Sequence, residues 1–368
     1  MPARVQRLAW RDIPLEEIGL PKAKLSLTLG LGSGLSVRGG RLFAATDRGP
    51  NIFVSEAVGR YGLDHLGNLR GVHGAKVLPR PDEGAEIAEL LVEAGEVKLV
   101  SRTPLRTRPG RRLSGRSLPE DEAEPLFDLQ GGLLAPDALG ADTEAIAAMP
   151  GGGFFLAEEY GPSLLKVDAG GVVSERWVAA GMERALAHTD LVVRGVLPAR
   201  ARRRQANRGF EALCASGDGA WLYVGFQSAL EGEDERSVPV WKLDARTGAL
   251  AAEYFYPFDD PLTFRRDAGR RKLDTADLKI CEFVWAGNER LIVLERIAYT
   301  SKIYAVSLAQ PLAKQLLLSS DDFPEIGPDM EGLAMLSPRE LLLVSDNDFG
   351  VEGAQTEFWR ISFDEPIA

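Results

Sequence analysis

Residues 330–346 read MEGLAMLSPRELLLVSD. An acidic residue, Glu331, opens an apolar stretch; Ser337-Pro338 supplies a turn; Leu341, Leu342, Leu343 and Val344 form a second apolar run that ends on Asp346. Two short apolar runs around a Ser-Pro break predict a β-hairpin. The same grammar recurs upstream. Residues 34–47 carry it around Gly39-Gly40, and 143–158 around the turn at 150–153. Residues 210–225 carry it around Gly217-Asp218-Gly219, and 281–295 around Gly287-Asn288.

Three hairpins are followed by a further strand pattern, at 163–168, 238–244 and 302–306. Three to four strands per repeat is the size of a propeller blade. The expected fold is therefore all-β, a single β-propeller over residues 1–368. Counting the strand-like stretch 96–100 as its own unit gives six blades, with five and seven as alternatives. Residues 3–8 are expected to pair with 358–363 and complete the last blade. The repeats are longer than an ordinary blade, so loop insertions are expected at 54–95, 181–206 and 228–238. Helical patterning is visible only at 81–92 and 181–193.

The 368 residues have a formal net charge of −11, which argues against a general nucleic-acid binder, since such proteins need a basic face. Glycine (39) and proline (22) are abundant enough for many tight turns. No apolar run is long enough for a membrane-spanning helix. Cys214 and Cys281 form neither a disulfide framework nor a zinc pattern, and buried free thiols are expected. Residues 1–10, MPARVQRLAW, lack the apolar centre of an export signal. A cytoplasmic location and removal of a signal are both consistent with that.

The chemistry is expected where the repeats converge. Glu144, Glu211, Glu282 and Glu331 hold similar places at the start of four hairpins, so a propeller would gather them around its axis. Clustered carboxylates repel unless a cation neutralises them. An all-oxygen set in a chain with three histidines (His65, His73, His188) favours Ca²⁺, with Mg²⁺ as the alternative. A second polar set ends the hairpins: Asp47, Glu158 or Glu159, Gln227, Glu295 and Asp346. Of these, Asp47, Glu158 and Asp346 are candidate bases. Arg48, Arg208, Lys279 and Arg296 flank the acidic positions; Arg48, Arg208 and Arg296 are candidate holders of a substrate anion. The run 200–204, RARRR, reads as a solvated basic loop. Nucleophile elbow, Walker A, HExxH and CxxC patterns are absent.

Residues 42–51 (LFAATDRGPN), 142–159 (DTEAIAAMPGGGFFLAEE), 207–213 (NRGFEAL), 329–333 (DMEGL) and 345–350 (SDNDFG), in this order, resemble the phytase-like family, also called "esterase-like activity of phytase". The resemblance spans about residues 25–365. It implies a β-propeller, usually exported to the periplasm or beyond, often with a bound divalent cation, and hydrolysis of phosphate esters or other esters. Residues matching its acidic motifs are Asp47, Glu144, Glu211, Glu331 and Asp346, with Glu282 in a fitting stretch. Two functions follow as expectations. One is a Ca²⁺-dependent hydrolase acting on a small anionic or ester substrate. The other is a non-enzymatic cell-envelope propeller whose cation is structural and whose loops bind a partner protein or envelope ligand.

Overall fold

The computed structural model describes residues 3–119, 124–187, 189–309 and 311–367. His188 lies outside the described residues.

Five mainly antiparallel sheets of four or more strands dominate the described residues. Sheet 1 runs Gly34–Arg38, Arg41–Ala45, Glu86–Glu93, Glu96–Pro104. Sheet 2 runs Thr143–Ala148, Phe154–Glu158, Ser163–Val167, Val173–Ala179, then adds Val192–Leu197 in parallel. Sheet 3 runs Phe210–Ala215, Trp221–Phe226, Ser237–Asp244, Leu250–Pro257. Sheet 4 runs Lys279–Trp285, Arg290–Arg296, Ser301–Ser307, Ala313–Ser319. Sheet 5 runs Met330–Ser337, Glu340–Ser345, Phe358–Phe363, and its outer strand is Ala3–Leu8, with Ala3 opposite Phe363 and Leu8 opposite Phe358. The pairing of the chain's two ends is the one expected.

The first strands of the five sheets pack against one another in chain order, and that of sheet 5 also packs on that of sheet 1. This propeller-like arrangement demands small side chains where the first strands meet. A Cβ on Gly34 would stand 2.7 Å from the Cα of Ala145, and one on Gly332 would stand 2.9 Å from the carbonyl oxygen of Gly32. Between sheets 2, 3 and 4 the apolar faces interlock through Trp177, Phe210, Trp241 and Phe283, all nearly inaccessible to solvent. Phe210 and Trp241 meet edge to face at 5.8 Å between ring centroids.

Three expectations need correction. The stretch 96–100 belongs to no separate unit; it is part of Glu96–Pro104, the outer strand of sheet 1. The helical pattern at 81–92 gives way to the strand Glu86–Glu93, hydrogen-bonded on one side to Arg41–Ala45 and on the other to Glu96–Pro104. Ladders on both edges outweigh local spacing. At 181–193 the helix shrinks to one 3₁₀ turn, Met182–Arg184, before Val192–Leu197.

Two smaller sheets lie outside the five. Pro14–Gly19 pairs with Lys24–Thr28. Ile52–Phe53, Lys76–Val77 and Leu126–Phe127 form a three-stranded sheet, with the short helix Val54–Gly59 beside it; only Lys76–Val77 and the helix fall within the expected insertion 54–95, whose end, Glu86–Glu93, belongs to sheet 1 instead. Among the described residues no helix is long and apolar enough to cross a membrane.

Candidate metal centre

In four of the five sheets the register between first and second strands slips near the start, at Thr143/Ala145, Phe210/Ala212, Ile280/Glu282 and Met330/Gly332. The residues passed over are Glu144, Glu211, Cys281 and Glu331. A bulge of this kind re-aims the extra side chain. Three glutamates thereby turn into one pocket of about 130 Å³ at this end of the first strands. The ends of the second strands and the turns after them add Asp47, Glu159, Gln227, Asp346 and Asp348, and Asp142 precedes the first strand of sheet 2. Eight carboxylates line the pocket (Asp47, Asp142, Glu144, Glu159, Glu211, Glu331, Asp346, Asp348) against three cations (Arg48, Lys76, Lys279). The excess is strongly negative.

One oxygen each from Asp47, Asp142 and Glu144 lie within 4.8 Å of one another, and the same holds for Glu144, Glu211 and Glu331. Glu144 is common to both groups. Gln227 donates its amide N–H to Oε1 of Glu211 at 2.5 Å, but the other oxygen, Oε2, is buried and has no partner. An orphaned carboxylate oxygen inside an acidic cluster is the kind of group a hard cation satisfies. Hence the donor set fits Ca²⁺ or Mg²⁺.

The electrostatics agree. Burial, then the neighbouring Glu331, pushes the Glu211 carboxyl up to about 8. Burial followed by Asp142 raises Asp47 and Glu144 well above the usual carboxylate range, and burial followed by Glu211 does the same to Glu159. Burial followed by Asp348 raises Asp346. Without a counter-charge these groups retain protons. Three non-glycine residues here, Asn207, Asp329 and Asp348, have positive φ (54°, 52° and 43°), a costly backbone state that clusters at functional sites.

The cations divide into two kinds. Arg48 is spoken for: Nη2 donates to Glu124 at 3.0 Å and to the Tyr160 hydroxyl at 3.1 Å, and Nε lies 3.3 Å from Asp142. Arg296 is equally engaged, with Glu331, with Asp329 at 2.9 Å and with the Cys281 sulfur at 3.1 Å. By contrast, among the described residues neither Arg208 nor Lys279 makes an ion pair, and Nη1 of Arg208 is buried and unpartnered. Arg296, then burial, lowers the Lys279 pKa; burial lowers that of Arg208. Of these, Lys279 lines the pocket, whereas Arg208 and Arg296 lie outside its lining.

Three acidic candidates also sit apart from the pocket. Glu282 is fully buried and is absent from the lining. It occupies the position taken by Gly34, Ala145, Ala212 and Gly332 in the other sheets, one residue past the bulge. Four small side chains leave room for this one. Its carboxylate accepts N–H bonds from Leu35 at 2.8 Å and Phe283 at 3.1 Å, and the Leu213 and Leu333 amides also favour its charged form. Four sheets are joined through it. Burial raises its pKa well above the usual range. Glu158 likewise turns away: its carboxylate accepts from the Gly161 N–H at 3.0 Å and the Ser163 hydroxyl at 3.2 Å, while its neighbour Glu159 lines the pocket. Glu295 is buried against Tyr256 and Lys314 and is also outside the lining.

Among the residues missed, Asp142 precedes an obvious strand, and Lys76 arrives from the insertion. A signal for the glutamates was present: Glu144, Glu211 and Glu331 are each followed by a small residue and then Ile146, Leu213 or Leu333. Glu282 is followed at once by Phe283. Aligning the large residue puts Cys281, not Glu282, at the fourth ring position. Both cysteines are buried free thiols.

A larger hollow, about 310 Å³, opens at the opposite ends of the first strands, lined by Arg38, Leu213, Trp285 and Met335 among others, with no carboxylate. Carboxylates thus line the pocket at one end of the first strands and not the hollow at the other.

An acidic pocket lies at one end of a propeller-like set of sheets. The sequence profile of the family "Phytase-like: Esterase-like activity of phytase" matches residues 28–349, and the chain belongs to that family. Among curated proteins none matches. Similar solved structures include a protein of unknown function from Bacteroides caccae (11% identity, 71% of this chain and 62% of that one, TM-score 0.33). A PQQ-bound aldose sugar dehydrogenase from Streptomyces coelicolor is 10% identical, with 98% of each chain covered and a TM-score of 0.40. An exo-β-1,3-galactanase from Phanerochaete chrysosporium is 10% identical over 90% of this chain and 60% of that one, with a TM-score of 0.45.

Proposed function

We propose that this protein is a five-bladed propeller that hydrolyses phosphate esters or other anionic esters with the help of a divalent cation, Ca²⁺ being the best fit. The observation that carries the reading is the unpartnered, buried Oε2 of Glu211, a residue with one carboxylate oxygen within 4.8 Å of oxygens of Glu144 and Glu331. Glu144, Glu211 and Glu331, with Asp47 and Asp142, are the holders of the cation. When bound, such a cation supplies positive charge to an ester oxygen and acidifies a water. Arg208 and Lys279 orient the substrate's anion against that wall. Glu159 and Asp346, whose carboxyls keep protons above the ordinary range, are the proton carriers. Asp47, expected from the sequence to act as a base, is assigned instead to holding the cation. Action outside the cytoplasm, as is usual for the family, is part of the proposal.

A structural role for the cation is favoured by a separate observation: the carboxylates come from four different sheets, so an ion joining them staples the fold whether or not it turns over substrate. Thermal unfolding with Ca²⁺ and with chelator, run beside p-nitrophenyl phosphate and p-nitrophenyl acetate assays, separates the two. Stabilisation with turnover supports the hydrolase. Stabilisation without turnover favours the staple, and no effect of Ca²⁺ defeats both.

A further inference from the structure

The acidic pocket is small. About 130 Å³ corresponds to roughly four waters at ~30 Å³ each, enough for a cation and one charged group. The rest of any ester must lie across the mouth. Asn51 lines the pocket, and Phe53 follows two residues later at the end of the short strand Ile52–Phe53. Phe53 is also the cross-strand partner of Lys76, another lining residue. The Lys76 ammonium sits 5.2 Å from the centroid of the Phe53 ring and is held by Glu124 at 3.1 Å. The ring is thus fixed beside the pocket, yet Phe53 remains 54% exposed. Beyond it a shallow hollow of about 220 Å³ continues past Val72 and His73. Elsewhere the pocket's lining is polar throughout, with Asn207 and Asp348 among it.

We propose that Phe53 is the specificity-determining contact of this site: an aromatic platform that takes the planar or apolar substituent of an anionic ester whose charged end enters the acidic pocket. The proposal rests on the reading of the pocket given above. It selects aryl and other apolar-substituted esters over small hydrophilic ones.

The test is calorimetric titration, at saturating Ca²⁺, with two non-hydrolysable anions, methylphosphonate and phenylphosphonate. Phenylphosphonate is expected to bind about three- to tenfold more tightly, the range of one aromatic contact. Phe53→Ala should erase that preference and leave methylphosphonate affinity unchanged, and Phe53→Trp should restore it. Phe53→Leu, which keeps bulk against Lys76 without a ring, should also lower the ratio. Equal affinities in the wild type, or a full ratio in F53A or F53L, overturn the platform while leaving the pocket's function standing. Binding of neither phosphonate overturns the pocket reading and the platform with it.

Discussion

Replacing Glu211 by glutamine isolates one carboxyl whose environment is well defined. Its folded pKa is pushed up to about 8 from an ordinary 4.5. A carboxyl raised in this way favours the fold while it is protonated. That stability is complete below the unfolded value and is lost as pH climbs through the folded one. At ~1.4 kcal/mol per unit the loss approaches 5 kcal/mol once the group is ionised. A chain of 368 residues has an unfolding entropy near ~0.8 kcal/mol/K, so the expected fall in Tm is ~6 °C. Calorimetric scans of chelator-treated protein from about pH 5 to about pH 9 should show this decline. Added Ca²⁺ should reverse it, because the ionised carboxylate then has a partner. In Glu211→Gln the chelated protein should lose this part of the decline and much of the Ca²⁺ response. A flat wild-type profile in chelator, or an E211Q protein with an undiminished Ca²⁺ response, refutes the reasoning.

Glu282→Gln should keep the wild-type Ca²⁺ response and lie within ~1 kcal/mol of its stability, since a neutral amide can still accept backbone N–H bonds. Glu282→Ala should cost ~2–5 kcal/mol by orphaning amides and opening a void, measured by denaturant unfolding. Loss of Ca²⁺ binding in E282Q would return that residue to the ligand set. Arg208→Ala and Lys279→Ala should each raise KM for p-nitrophenyl phosphate ~10- to 100-fold, the worth of a charge-assisted hydrogen bond, and leave p-nitrophenyl acetate nearly untouched; equal effects on both esters would count against an anion site. Trp241→Ala, at the junction of sheets 2, 3 and 4, should cost ~3–5 kcal/mol of stability with no change in Ca²⁺ affinity.

The hairpin grammar, the acidic starts of the repeats and the pairing of residues 3–8 with 358–363 were legible because each depends on local alternation and turn chemistry. What escaped depends on register. A bulge adds one residue without changing composition, so Glu282 looks like Glu211 until the following large side chain is aligned. The same one-residue ambiguity separates Glu158 from Glu159, whose side chains point opposite ways at the end of a strand. The stretch 96–100 has every mark of a strand, but nothing local says which sheet it joins. Lys76 was invisible for a different reason: it comes from a loop insertion, whose path over the pocket follows from tertiary packing alone. Arg48 and Arg296 were visible beside carboxylates, but adjacency could not distinguish a cation already paired from one still free.

The outer edge of sheet 5 sets an order of events during synthesis. Arg4 and Asp364, joined across that edge, are 360 residues apart in the chain. At a translation rate of ~5–20 residues per second, the strand Ala3–Leu8 waits ~20–70 s for the partner Phe358–Phe363 to be made. Throughout that interval its ladder groups are unsatisfied and open to foreign strands. Synthesis of residues 358–363, rather than hairpin formation, then becomes the moment at which this strand is covered. A protease that trims residues 3–8 in a nascent chain would leave the last sheet with a bare edge for the lifetime of the protein.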